Sequence, residues 1–209
     1  MGIWGFSIFI GSYLIGCLHG SVVAQKLTGI NLKETGVKNA GASNATIVLG
    51  KKYGALVAAI DIGKGSFVIM LLHYLLKYTS YSSDFIYILT FIAGAAVILG
   101  HVFPFYMKFN GGKGTATVIG VLLALNWVLG LLAFALFVIV TILTDYIVIG
   151  VFTLYFSLIV IALWKFPSIW TVAISLGLLT IAVLKHLENF KRLRQGEENR
   201  ISTTFKKKK

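Results

Sequence analysis

From Thr115 to Leu184 the chain runs for 70 residues with only Asp145 and Lys165 as charged side chains. One membrane-crossing helix needs about 20 apolar residues at a rise of about 1.5 Å each, so this block holds more than one span and must be divided. Three further apolar runs, from about Ile3 to Ala24, Tyr53 to Leu76 and Phe85 to Met107, each fit a single helix. The polar interruptions Asn126-Trp127, Asp145-Tyr146 and Lys165-Phe166-Pro167-Ser168 predict four short, tightly joined helices within the long block. Only 12% of residues are charged and the mean hydropathy is +0.88. Average soluble domains carry about 25% charged residues, so a soluble enzyme is excluded, and a chain this apolar is not disordered either.

The charges predict the topology. Segment 26–52 holds five lysines and Glu34, segment 108–114 two lysines and no acid, and the tail from Lys185 nine basic residues and three acids. By the positive-inside rule all three face the cytoplasm. The expected architecture is all-α, a single polytopic domain over residues 1–209 with about seven transmembrane helices, the N-terminus outside and the C-terminus cytoplasmic. Lys165 then falls outside, against the rule. The net charge of +12 belongs to these short segments between apolar runs, which points to membrane lipid as a partner and away from nucleic acid. The run Lys206–Lys209 reads as a basic tail drawn to anionic lipid. No basic residue precedes Lys26, so no cleavable signal peptide is expected. Phe6 stands where a myristoylation signal needs Ser or Thr. The single Cys17 excludes disulfides, and four scattered histidines with isolated carboxylates lack metal-ligand spacing. No metal and no cofactor are expected.

Chemistry concentrates in the polar segments. In Gly36-Val37-Lys38-Asn39-Ala40-Gly41-Ala42-Ser43-Asn44, small residues let the backbone coil and aim successive N–H groups at one anion, with Asn39 and Asn44 as side-chain donors. The alternative is a solvated connector. In the next span, Asp61 and Lys64 stand three residues apart and can pair on one helix face. Charges in a span are costly and face the protein interior, so the pair is read as structural support beside the site. Gly111-Gly112-Lys113-Gly114 feeds a helix at Thr115, presenting N–H groups and an ammonium at a positive helix end. His101, just before it, is a candidate base or donor, or a hydrogen-bonded structural residue. In the last segment, His186, Asn189 and Leu193 share a helical face, with Arg192 at its edge. Such a face suits a phosphorylated substrate, or lies flat on lipid headgroups.

Taken in order, these segments resemble the bacterial acyl-phosphate-dependent glycerol-3-phosphate acyltransferases, the PlsY family, over roughly Gly11 to Glu198. The specific matches are Gly100-His101-x-Phe103-Pro104, Gly111-Gly112-Lys113-Gly114-x-Ala116-Thr117, and His186-x-Glu188-Asn189-x-x-Arg192-Leu193-x-x-Gly196-x-Glu198. The resemblance implies transfer of a fatty acyl group from acyl phosphate to a hydroxyl of glycerol 3-phosphate, releasing lysophosphatidate and phosphate at the cytoplasmic face of a bacterial inner membrane. It implies Lys113, His186 and Asn189 as the catalytic set. Substrate binding falls to Gly36, Asn39, Gly41, Ser43, Asn44, His101, Gly111, Gly112, Gly114, Arg192 and Glu198. The donor is already activated, so the work is placing two phosphates and stabilising oxyanion charge; a substrate phosphate oxygen would take the proton.

The first motif departs from the family. Val37 stands for its Ser, Lys38 for a Gly, Ser43 for a Thr and Ile47 for its Arg, and upstream Asn31 and Lys33 stand for Asp and Arg. The family's Ser and Arg bind the glycerol 3-phosphate phosphate, so a paralogue with another phosphorylated acceptor, or a weak enzyme, is the alternative within the family. A transporter or scaffold for phosphorylated metabolites is the alternative outside it. Its sites would lie near the midplane, whereas these crowd one face. Acyl-chain length and oligomeric state are not legible.

Overall fold

The polar residues that interrupt the long apolar block cap two of the helices that follow them. A computed structural model describes residues 2–206, so most of the Lys206–Lys209 run lies outside the described residues. The first apolar run is broken at Cys17-Leu18-His19 into α1 (Gly2–Gly16) and α2 (Gly20–Thr28). The first polar segment contains α3 (Ala42–Leu49), followed by α4 (Lys51–Leu76), α5 (Ser83–Val102) and a single 3-10 turn at Phe105–Met107. The long block divides at the three expected places, into α6 (Thr115–Leu125), α7 (Trp127–Thr144), α8 (Ile147–Lys165) and α9 (Ile169–Gln195); α10 (Ile201–Lys206) follows. At the first break the Asn126 Oδ1 accepts the Leu129 N–H at 3.0 Å, and at the third the Ser168 Oγ accepts the Trp170 N–H at 3.3 Å. Both are N-caps of the helix that follows.

The described residues contain six helical segments long and apolar enough to cross a membrane, α1 and α2 together counting as one. The expected seventh is α6. Its eleven residues extend only about 16 Å at 1.5 Å per residue, against a hydrocarbon core of about 30 Å. Its end at Asn126 falls where the sequence predicts a break. Its short length is tolerated by burial: Thr117 to Leu122 are shielded without interruption. α4 and α6 approach closely at glycines. A Cβ on Gly120 would strike the Ile62 carbonyl and one on Gly65 the Thr117 carbonyl, so small residues set this contact, as in membrane helix packing generally. The core is built mainly from α4, α5, α6, α8 and α9. α5 is the most enclosed long helix and α7 the least.

Asp61 and Lys64 form the expected pair, at 3.0 Å and nearly without solvent exposure. They do more than pair. The Lys64 ammonium donates to the Gly16 and Leu18 carbonyls at 2.9 and 2.6 Å, and the Asp61 Oδ1 accepts the Gly20 N–H at 3.2 Å. These are backbone groups left without intrahelical partners at the α1–α2 break. The pair therefore makes that break possible and ties it to α4.

Candidate active site

The third polar segment begins where α5 ends. Gly111 and Gly112 donate their N–H groups to the Val102 and His101 carbonyls at 3.0 and 3.1 Å, folding the segment back along the helix. A side chain at Gly112 would collide with the His101 ring, and one at Gly111 with the His101 carbonyl and Pro104. This corrects the expectation that both glycines offer N–H groups to an anion: those amides are already bonded, and the glycines are needed for close packing. Gly114, in the left-handed region at φ 88, starts α6. The donors available to a ligand are the first-turn N–H groups of α6, which no helix can satisfy internally.

His101 takes the structural role that its sequence left open, not the substrate contact that the resemblance implies. It is 2% exposed, and its Nδ1 lies 2.8 Å from the Lys64 ammonium. An ammonium only donates, so Nδ1 accepts. His101 thus belongs to the Asp61–Lys64 anchor and backs the Gly112 turn, while His19 stacks on its ring at 4.5 Å between centroids. His19, Asp61 and His101 bring ligand-type atoms within 4.8 Å of one another, a grouping that their sequence spacing hides. The Lys64 ammonium touches Asp61 and His101 and is the cation of that cluster.

The final segment supplies the other wall. On α9, His186 and Asn189 point inward and are buried, with Arg192 half-buried on the same side, as the three-and-four spacing predicts. The His186 Nδ1 donates to the Ala182 carbonyl at 2.8 Å, which leaves Nε2 as the ring's acceptor in the neutral form; the ring meets Phe152 edge-on. The helix ends at Gly196, in the left-handed region at φ 73, with the Glu197 N–H bonded to the Arg192 carbonyl at 2.8 Å. That turn brings Glu198 back over the helix. Its Oε1 accepts from the Asn189 Nδ2 at 2.6 Å and its Oε2 from the Arg192 Nε at 2.8 Å. The Asn189 Oδ1 in turn accepts from the Lys113 ammonium. Lys113, Asn189, Glu198 and Arg192 are one connected group. Burial, with Arg192 and Lys185 adding positive charge, holds the Lys113 ammonium down to about 8 against the opposing pull of Glu198 and Glu188.

The Gly36–Asn44 loop is shaped chiefly by Asn44. This side chain is fully buried and donates to the Leu32, Thr35 and Asn39 carbonyls at 2.8–3.0 Å while accepting the Val37 N–H at 2.9 Å. Asn44, expected as a donor to substrate, is fully bonded to its own loop. Gly36 is left-handed at φ 62, and so is Lys38 at φ 53, where a lysine carries strain of about 1–2 kcal/mol that glycine avoids. Gly41 is the N-cap residue of α3, and Ser43 is exposed in its first turn, with Asn39 half-buried before it. Just before the loop, burial and the charge of Lys185 both push the Lys33 ammonium down.

The sequence model of the glycerol-3-phosphate acyltransferases matches residues 6–196. The chain belongs to the glycerol-3-phosphate acyltransferase family. Its relatives include glycerol-3-phosphate acyltransferase 1 of Oceanobacillus iheyensis, 42% identical over 196 residues and covering 94% of each chain. The glycerol-3-phosphate acyltransferase of a Thermoanaerobacter species is 37% identical over 193 residues, covering 91% of this chain and 92% of the relative. The crystal structure of PlsY, an integral membrane glycerol 3-phosphate acyltransferase, in its glycerol 3-phosphate form superposes with a TM-score of 0.81 at 30% identity, covering 94% of this chain and 95% of PlsY. The lysophosphatidic acid form gives 0.79 at the same identity, covering 94% of both chains. The acyltransferase family and its all-helical membrane fold are therefore as the motifs implied. The resemblance named Glu198, but as a substrate contact; its bonds to Asn189 and Arg192, and the anchoring of the tail beyond it on Asp145, were not read from the sequence.

Proposed function

We propose that this protein transfers a fatty acyl group from acyl phosphate to a hydroxyl of glycerol 3-phosphate, at the cytoplasmic side of a bacterial inner membrane. The observation that carries this reading is the Lys113–Asn189–Glu198–Arg192 group beside His186. The reaction needs phosphates held in register and charge stabilised on the departing phosphate and on the carbonyl oxygen. Lys113 and Arg192 supply positive charge, and Asn189 fixes the ammonium. The His186 Nε2 is an acceptor for an acceptor-substrate hydroxyl. No strong side-chain base is required, since a phosphate oxygen can take the hydroxyl proton as the C–O bond forms and the acyl C–O bond to phosphate breaks.

A changed acceptor is the second reading, favoured by exposed, apolar Val37 and Ile47 where the family pattern has Ser and Arg. The clustering of Lys113, Asn189 and Glu198 at one end of the helices supports an enzyme over a transporter. The test is phosphate release by the purified protein from palmitoyl phosphate with glycerol 3-phosphate. Release dependent on glycerol 3-phosphate supports the first reading. Release only with another phosphorylated polyol supports the second, and none with any acceptor at millimolar concentration refutes both.

A further inference from the structure

The segment that brings Glu198 into the site is anchored at two points. One is the left-handed turn at Gly196. The other lies on a different part of the chain, at the turn between α7 and α8. There Asp145, itself left-handed at φ 65, makes three contacts with the start of α10. Its Oδ1 accepts the Ser202 N–H at 2.9 Å, its Oδ2 accepts the Ser202 hydroxyl at 2.6 Å, and its carbonyl accepts the Ile201 N–H at 3.1 Å. The Arg200 guanidinium lies over the Tyr146 ring at 5.8 Å. Between the two anchors sits Glu198, bonded to Asn189 and Arg192.

The orientation of Asn189 depends on this arrangement. An amide side chain has one end that donates and one that accepts. While Glu198 takes the donating end, the accepting end must face the other way, and there it meets Lys113. With Glu198 withdrawn, the amide is free to rotate and present its NH2 group to the ammonium, which repels it. Asp145 is remote from Lys113 in the chain and absent from the motifs that define the site, yet it holds the far end of the segment that sets this orientation.

We propose that Asp145 is a positioning residue for acyl transfer: by fastening Ser202 it keeps Glu198 on Asn189 and so keeps the Asn189 carbonyl aimed at Lys113. This rests on the assignment of the Lys113 group as the acyl-transfer site. Asp145→Ala removes both side-chain contacts. Asp145→Asn keeps an oxygen for the Ser202 N–H, as asparagine does at helix starts generally.

The experiment uses the full chain in detergent and combines limited trypsin cleavage with steady-state kinetics. Asp145→Ala is expected to speed cleavage after Arg200 at least about five-fold and to lower kcat/KM by about 10²-fold, the cost of misplacing a group by about 1 Å. Asp145→Asn is expected to stay within about two-fold of the parent in both, as a retained cap predicts. In a Glu198→Ala background, Asp145→Ala should cause no further kinetic loss, because its effect passes through Glu198. A role confined to stability would instead lower kcat/KM by the same factor in both backgrounds, and that result overturns the proposal, as does unchanged cleavage. Should the parent release no phosphate at all, the acyl-transfer assignment fails. The same four variants are then compared by calorimetric titration with inorganic phosphate. Weakened binding in Asp145→Ala that vanishes with Glu198→Ala sustains the positioning role, and equal binding throughout ends it.

Discussion

Lys113 and Asn189 lie 76 residues apart in the chain and are hydrogen-bonded side chain to side chain. One comes from the turn entering a half-length helix, the other from the inner face of the last long one. Their meeting joins two separate motifs in one candidate site. Replacing Lys113 by Ala is expected to lower kcat/KM for acyl transfer by about 10²–10³, the range for losing one preorganised donor to developing negative charge. The unfolding temperature in detergent should change little, because Lys113 is half-buried and at the edge of the core. Turnover within a few-fold of the parent would remove Lys113 from the reaction.

The lowered proton affinity of Lys113 sets a pH dependence. In the proposed role the ammonium binds an anion, and it is lost as pH rises through about 8. The quantity to follow is kcat/KM, which reports the free enzyme; it should fall on the alkaline side with a midpoint near 8, where an ordinary lysine would hold to about 10.4. The stability sign is opposite. Between those two values the unfolded chain binds the proton and the native one does not, so unfolding free energy rises with pH there. Lys113→Arg, always charged, should abolish the limb near 8 even if its rate is lower. A parent profile flat to pH 10 would contradict the assignment.

Much of this was legible beforehand, and the remainder has identifiable causes. The helix breaks at Asn126, Asp145 and Ser168 were visible because polar residues interrupt an otherwise apolar run and two of them cap the next helix. The inward face of His186 and Asn189 followed from helical periodicity. The enclosure of α6 did not, since hydropathy cannot separate a short helix buried in protein from one facing lipid. Nor did the roles of Gly111, Gly112 and Asn44: composition suggests donors to a ligand, whereas only the folded chain shows which carbonyls occupy those amides. His101 and His19 meet through contacts between helices that no local pattern encodes.

The Asp61–Lys64 anchor is expected to be structural. Lys64→Met leaves a buried carboxylate unpaired and strands the Gly16 and Leu18 carbonyls; breaking a buried pair this way costs about 3–5 kcal/mol. Thermal unfolding in detergent should show it, with activity falling at the temperature where the fold is lost. The double variant Asp61→Leu, Lys64→Met should recover part of that stability, because no lone charge remains. A single variant as stable as the parent would argue that the pair carries no structural load.

Close packing of α4 on α6 gives a steric test with an internal control. In Gly120→Val the first added carbon meets the Ile62 carbonyl, and overpacking of this kind costs about 1–3 kcal/mol. Since α6 follows directly from Gly114, the displaced helix should also carry Lys113 away from Asn189 and lower kcat. Gly63 lies on α4 with nothing within 4 Å of an added Cβ. Gly63→Ala should therefore be neutral or stabilising by up to about 1 kcal/mol, from helix propensity alone. Equal effects at the two glycines would show that the α4–α6 contact is not set by them.

The divergent first loop offers a gain-of-function test. Val37 and Ile47 are both exposed, so neither is needed to fill a core, and the family pattern has Ser and Arg there. If glycerol 3-phosphate is the acceptor, its phosphate currently lacks those two partners. Ile47→Arg adds a charged donor and should lower KM for glycerol 3-phosphate about ten-fold, corresponding to the 1.5–3 kcal/mol of a hydrogen bond to a charged group less the cost of ordering a long side chain. Val37→Ser should add a smaller gain, and the pair should lower KM further than either alone. KM for the acyl phosphate donor should stay fixed, since the change is confined to the acceptor phosphate. Should the double variant leave KM for glycerol 3-phosphate unaltered while another phosphorylated polyol already saturates the parent enzyme, the loop has been shaped for that other acceptor.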